Sequence, residues 1–260
     1  MYVHSLNPVL LHLGPLEIRY YGLVYAGAFL VMLHYLGKLA EQGKLGMGKQ
    51  RAMDFVTWVM LSVVLGSRVM HVLTRLPYYV AHPADILAFW NGGLAFLGGL
   101  LGGIATAAYL VRRWKLDFWA IADRVIVPVP LFLALGRVTN FINGELPGKL
   151  ASVPWAVQFP DAVGFRHPSV LYEALLLFLA FLALLVLQRR ALPRGALFWW
   201  FVLLYGSLRS VTELFREVDE LAFLGLSWMH FISLGMIVLG AWKLQSLRKS
   251  RVTAAGKSKV

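Results

Sequence analysis

The chain contains no cysteine. That excludes disulfides, a thiolate nucleophile of its own and any cysteine-ligated metal. Its seven histidines show no His-x-x-x-His or similar spacing, so neither a metal centre nor a cofactor is expected. Charge is scarce too. Only 15% of the 260 residues are charged, and 13 acidic residues stand against 25 basic ones, leaving a formal net charge of +12. With so few charges, the basic excess must sit in loops and tails, which argues against a nucleic-acid-binding face and for contact with an anionic membrane surface.

What the chain has in abundance is apolar sequence. Hydrophobic residues make up 59% and the mean hydropathy is +0.67, above the roughly 45–50% apolar share of soluble domains. The reading is an all-α integral membrane protein with about seven transmembrane helices: Ile18–Leu39, Phe55–Leu73, Gly92–Val111, Ile121–Leu135, Val170–Leu187, Ala196–Leu214 and Trp228–Lys243. The first run is long and lacks a cleavage site, so it reads as a retained span rather than a signal peptide. Lys and Arg gather after the first, third, fifth and seventh spans. By the positive-inside rule, the N-terminus is then periplasmic and the C-terminus cytoplasmic. No internal repeat is visible. One membrane domain over residues 1–247 is expected, followed by a basic, disordered cytoplasmic tail over 248–260 that suits anionic lipid.

The fourth span is opened by Asp123 and Arg124 and interrupted by Pro128 and Pro130. A broken helix at membrane depth is tolerated only where protein or a water-filled cavity satisfies its backbone. Directly after it comes LFLALGRVTNFINGELPGKL, residues 131–150, which presents Arg137, Asn140, Asn143 and Glu145 among Gly136, Gly144, Pro147 and Gly148. Ionisable groups at a span cost roughly 2.5–3.5 kcal/mol each on insertion scales, so they mark a substrate or ion path. Arg137 and Asn140 share a face if the helix continues, and glycines let backbone amides approach a ligand. An arginine fork beside an asparagine donor suits a phosphate. The simpler alternative is an internal Arg137–Glu145 ion pair that pins a re-entrant loop.

Three further groups carry polar chemistry. YGSLRSVTELFRE ends the sixth span, with Arg209 and Glu213 at i, i+4 and Arg216 beyond; these either neutralise one another or aim a guanidinium at an anionic head group. RHPSVLYE opens the fifth, with Arg166, His167, Tyr172 and Glu173, where Pro168 and Ser169 also fit a plain helix start. Arg19, Tyr20, Tyr21 and Tyr25 sit at the outer end of the first span, where an interfacial aromatic belt accounts for most of them. In the third span, Gly98/Gly102 and Gly99/Gly103 have the small-xxx-small spacing of close helix packing, with a glycine-lined acyl groove as the alternative.

GRVTNFINGELPGK resembles the signature of bacterial prolipoprotein diacylglyceryl transferases, G-R-x-x-N-F-x-N-x-E-x-x-G, at every fixed position. PLEIRYYGLVY, GGLAFLGGLLGG, RHPSVLYE and YGSLRSVTELFRE extend the resemblance over most of the chain. It implies a multi-pass enzyme of the bacterial inner membrane. The reaction would move the diacylglyceryl group of phosphatidylglycerol to the lipobox cysteine thiol of a prolipoprotein signal peptide, with glycerol phosphate leaving. The nucleophilic sulfur is then the substrate's, which accounts for an enzyme without cysteine. By position the resemblance assigns importance to Tyr21, Arg137, Asn140, Glu145, Gly148, Arg209 and Glu213. Arg137 and Arg209 would meet the lipid phosphate, with Asn143 nearby. Asn140 and Tyr21 would orient the head group, and Glu145 and Glu213 would hold the two arginines. Leu97 stands where the family's third-span motif usually has a histidine proposed as base, and Met236 where glutamine is common. A thiol with pKa near about 8.5 must lose its proton to attack, and His167, Tyr21 and Glu145 are the substitutes in falling order. Two other readings are a relative that binds phosphatidylglycerol but uses another acceptor, and a lipid or ion transporter.

Overall fold

The seven apolar segments are largely helical in the computed structural model, because a backbone in lipid must satisfy its own hydrogen bonds, but Ile18 and Arg19 fall in a strand and Gly92–Ala95 precede their helix. The structure describes residues 1–14, 16–88, 92–217, 223 and 226–257. The major helices are α1 (Tyr20–Glu41), α2 (Lys49–Thr74), α4 (Phe96–Arg113), α7 (Ser169–Leu187), α8 (Ala196–Glu213) and α9 (Trp228–Lys257). A short α3 (Leu76–Ala81) follows α2. The proline-bearing segment splits into α5 (Phe118–Val125) and α6 (Val129–Ile142). Pro128 takes the N-cap of α6 and Pro130 its first turn, where a missing N–H costs nothing. Among the described residues, four stretches are long and apolar enough to cross a membrane: Tyr20–Glu41, Lys49–Thr74, Phe118–Ile142 and Ser169–Leu187.

Short strands accompany the helices, a feature that hydropathy did not predict. β1 (Tyr2–Val3) pairs in parallel with β4 (Val157–Gln158), which pairs antiparallel with β5 (Phe165–Arg166). β2 (Val9–Leu13) and β3 (Leu16–Arg19) form a hairpin leading into α1. At the other end, α9 runs helically to Lys257. The last three residues of the expected tail, 258–260, lie outside the described residues.

The chain forms two compact units, Ala28–Ile121 and Met1–Gly27 with Ala122–Val260. In the first, the glycine rows of α4 meet the backbone of α2. A Cβ on Gly66 would stand 2.5 Å from the Gly98 carbonyl oxygen, and one on Gly102 the same distance from that of Ser62. Small residues are therefore what let these helices touch. Buried Arg68 of α2 donates to the carbonyls of Ile86 (3.0 Å), Ala88 (3.2 Å) and Gly93 (3.0 Å), tying down the loop before α4. Leu97 sits in the first turn of α4 and is exposed.

In the second unit, Ala134, Leu177, Ala180 and Leu208 form the core that joins α6, α7 and α8. Asp123 of α5 accepts from the backbone N–H of Gly195 (2.7 Å) and Phe198 (2.9 Å), filling two orphan donors at the start of α8. α8 and α9 are antiparallel and close: a Cβ on Gly206 would lie 2.8 Å from the Ser233 carbonyl oxygen, and one on Gly240 would lie 3.0 Å from Leu203. These contacts set their register.

Candidate functional site

The signature segment folds back on itself through a glycine. α6 ends at Ile142, and Gly144 takes φ +73°, a left-handed conformation that a side chain would oppose. Gly144 N–H donates to the Phe141 carbonyl at 3.0 Å and Glu145 N–H to that of Asn140 at 2.9 Å. This is the paired closure of a Schellman cap. It brings the Glu145 carboxylate over the last turn of α6, where Asn140 donates to Oε2 at 2.7 Å and Asn143 donates to Oε1 at 2.9 Å. Tyr21, on the first turn of α1, donates its hydroxyl to the same Oε2 at 3.0 Å and accepts a short hydrogen bond from Asn140. Tyr21, Asn140, Asn143 and Glu145 thus form one network. The expected pairing of Glu145 with Arg137 is not what forms. The cap turns Glu145 toward the amides and Tyr21, and Arg137 points to α7.

Arg137 donates to Asn140 Oδ1 at 3.1 Å, so the two do share a helical face. Its Nε also lies 3.1 Å from Glu173 Oε1, an ion pair without hydrogen-bond alignment. Glu173, in the first turns of α7, is 1% exposed and stands among three arginines. Besides Arg137, its Oε2 accepts from Arg209 Nη1 at 3.0 Å and lies 3.8 Å from Arg216 Nη1. Arg209 sends Nη2 to Glu213 Oε2 at 2.9 Å, one turn further along α8. The fork is therefore held by two carboxylates, while Arg209 Nε is buried with no hydrogen-bond partner among the described residues. Among the described residues, three guanidinium groups face two carboxylates here, an excess of one positive charge.

Buried charge is expensive unless compensated. An unpaired buried donor beside a surplus cation is the arrangement that an anion completes. Arg216 lies just past α8, and burial first, then the nearby Arg209, pull its guanidinium below the usual arginine range.

Gly148 and His167 lie on the irregular chain between α6 and α7. Gly148 N–H donates to the His167 carbonyl at 3.0 Å, and the same glycine bridges to Arg216. A Cβ at Gly148 would be 2.5 Å from the Phe215 carbonyl oxygen and 2.6 Å from that of His167, so two backbone strands pinch this position. His167 Nδ1 is 3.1 Å from the Tyr172 hydroxyl, which accepts from Trp155 Nε1–H at 2.7 Å. The imidazole also packs edge-on against Phe215. Nearby, Arg166 donates to the Gly148 carbonyl at 3.1 Å and pairs with Glu217.

Every residue singled out in the sequence as a candidate for this site lies in the second unit. They fall into the Tyr21–Asn140–Asn143–Glu145 network, the arginine–glutamate cluster and the Gly148–His167 loop. Arg137 joins the first two. The part missed was the centrality of Glu173, and its only sequence signal was a glutamate in the first turn or two of an otherwise apolar helix.

Comparison with known proteins bears on this geometry. The profile of the prolipoprotein diacylglyceryl transferase family matches residues 8–245. The chain is 40% identical over 243 residues to a protein of Geobacter sulfurreducens, covering 90% of this chain and 93% of that one. It is 43% identical over 249 residues to a Nitratidesulfovibrio vulgaris protein, covering 92% and 94%. A Methylobacillus flagellatus protein is 41% identical over 263 residues, covering 96% of this chain and 100% of that one. All three are named phosphatidylglycerol–prolipoprotein diacylglyceryl transferase.

Proposed function

We infer the activity from one premise: the chain belongs to the prolipoprotein diacylglyceryl transferase family. It is a transferase that moves the diacylglyceryl group of phosphatidylglycerol to a prolipoprotein. In the reaction we propose, the thiolate of the lipobox cysteine attacks the glyceryl carbon, a carbon–sulfur bond forms, and the carbon–oxygen bond to phosphate breaks. Glycerol phosphate leaves and the thiol proton passes to a base.

The observation that carries the site assignment is the fork of Arg209. Two buried carboxylates fix its plane and, among the described residues, leave Nε unpaired amid one surplus positive charge. We assign Arg209 to the lipid phosphate, with Arg137 and Arg216 contributing field at the same anion. Preorganised cations in a water-poor site are worth most where negative charge is held or develops. Tyr21, Asn140, Asn143 and Glu145 orient the head group, with Glu145 as their shared acceptor. Gly148 admits the close backbone crossing that seats His167 against Phe215.

We assign His167 as the proton acceptor. Tyr172 oxygen has two lone pairs and Trp155 occupies one. When His167 Nδ1–H fills the other, Nε2 keeps its lone pair free. Glu145, with donors on both oxygens, is a weaker base, and the Tyr21 proton is already given to it.

Seven helices cross the bacterial inner membrane in this reading, with the N-terminus periplasmic and the C-terminus cytoplasmic. The largely helical course of the seven apolar segments and the one-sided Lys/Arg distribution support it. Residues 1–247 act as the transferase domain and the basic end over 248–260 meets anionic lipid.

The test is Arg209→Gln, assayed with phosphatidylglycerol in mixed micelles and a cysteine-bearing lipobox peptide. Thioether formation and glycerol phosphate release should fall together, and cells depleted of their own transferase should not be restored. An Arg209→Gln enzyme with unaltered affinity for phosphatidylglycerol would remove Arg209 from the phosphate.

A further inference from the structure

The carboxylate that holds Arg209 is itself held from the next helix. The close contacts at Gly206 and Gly240 set α9 antiparallel to α8, and seven residues on from Gly206 the register brings Glu213 opposite the start of α9. There Ser227, 4% exposed, places its hydroxyl 2.9 Å from Glu213 Oε1. The same hydroxyl is 3.0 Å from His230 Nδ1, and the Ser227 backbone N–H donates to that nitrogen at 3.2 Å.

The hydroxyl has one proton and two neighbours that could accept it. A carboxylate can only accept, so its bond to Ser227 exists only if the serine proton points to Glu213. Imidazole has two ways to agree with that. With Nδ1 unprotonated, it accepts the backbone N–H and anchors the Ser227 main chain. With Nδ1 protonated, it donates to the serine oxygen and reinforces the proton's direction toward Glu213. Both arrangements leave Ser227 donating to Glu213. His230 Nε2 is buried with no partner among the described residues, so this imidazole is held through Nδ1 alone.

A hydrogen-bonded chain therefore runs His230–Ser227–Glu213–Arg209, from α9 into the guanidinium. Each Glu213 oxygen has one assigned donor: Ser227 on Oε1 and Arg209 on Oε2. Without Ser227, Glu213 Oε1 would be a buried acceptor lacking a partner, and the carboxylate would rotate to share Arg209 between its oxygens. The fork would turn with it, and so would the direction of Arg209 Nε. We propose that Ser227 and His230 are positioning residues that aim Arg209 at the phosphate of the lipid donor by fixing Glu213. This rests on the assignment of Arg209 to that phosphate.

The phosphate carries its charge before the reaction as well as during it, so misaiming Arg209 weakens binding of lipid and transition state alike and appears in KM. The experiment uses the full chain in mixed micelles of phosphatidylglycerol, with a lipobox peptide held saturating. Ser227→Ala should raise KM for phosphatidylglycerol roughly tenfold, the order expected for one hydrogen bond to a charged group. Its kcat should stay near that of the parent, and the thermal midpoint should fall by only a few degrees, the cost of one unpaired buried acceptor. Ser227→Thr, which keeps the hydroxyl, should restore KM. Combined with Glu213→Gln, Ser227→Ala should add nothing, because the serine acts only through that carboxylate.

Should Ser227→Ala not accumulate, His230→Leu takes its place, since it removes the anchor and the unpaired buried Nε2 together; KM should again rise while the midpoint holds. An unchanged KM, a loss confined to kcat and midpoint, or full additivity with Glu213→Gln overturns the proposal. Arg209→Gln separates the two readings. If that variant binds phosphatidylglycerol as the parent does, the phosphate assignment has failed; if it does not, and Ser227→Ala leaves KM alone, only the positioning role has failed.

Discussion

Replacing Glu173 by glutamine removes one negative charge from the centre of three arginines while keeping the side chain's size. The cluster would go from three cations and two carboxylates to three cations and one. At 3.0 Å, the Arg209–Glu173 contact has a Coulomb energy of roughly 5 kcal/mol at an effective dielectric near 20. Removing one partner of a buried pair costs about 3–5 kcal/mol in practice, because the remaining charge is stranded. Arg137 and Arg216 add less, since their side chains are 27% and 21% exposed and water screens them. For a chain of this size, 3–5 kcal/mol corresponds to a fall of about 6–20 °C in thermal midpoint. The assay is thermal unfolding of the detergent-solubilised protein, with and without phosphatidylglycerol. An anionic lipid can replace the lost counter-charge, so its stabilising effect should be larger in Glu173→Gln than in the parent; a zwitterionic lipid should not distinguish them. Lipid at a hundred times its Kd would restore about 2.7 kcal/mol. A variant as stable as the parent, or one that anionic and zwitterionic lipid stabilise equally, refutes the reasoning.

Two other outcomes follow from local geometry. Gly148→Ala should destabilise by about 1–3 kcal/mol or more, because its Cβ would meet backbone oxygens that cannot move aside, whereas Gly136→Ala, with open space around it, should be neutral or stabilising by up to about 1 kcal/mol; chemical denaturation of both variants checks this. The hydrogen bond from Arg166 holds the Glu217 carboxyl below its ordinary 4.5, so the pair's contribution is full above that pH and is lost as pH falls through the depressed folded value. Thermal midpoints measured from pH 7 down to the acid range should decline less steeply in Glu217→Gln, and an unchanged slope would refute the linkage.

Much of this was legible in one dimension. Apolar runs of spanning length dictate helices because lipid offers the backbone no partner, and Pro128 and Pro130 dictate the division between α5 and α6. Arg209 and Glu213, at i, i+4, could be paired from spacing alone. Gly144 after an apolar helix is a readable C-cap, yet the direction in which it sends Glu145 is not, and that direction is why the anticipated Arg137–Glu145 pair does not form. The strand pairing of β1 with β4 escaped notice because two-residue strands carry no periodicity.

By itself, then, the sequence determined the membrane class, the family through a signature of fixed spacings, and the set of polar residues too costly to be incidental. The tertiary structure decided which of them touch. Tyr21 meets Glu145 across 124 positions, Arg209 meets Glu173 across 36, and Ser227 meets Glu213 across 14. The physical reason is that a buried charge takes whichever partner helix packing brings within about 3 Å, and that register is set by glycine contacts such as those at Gly206 and Gly240.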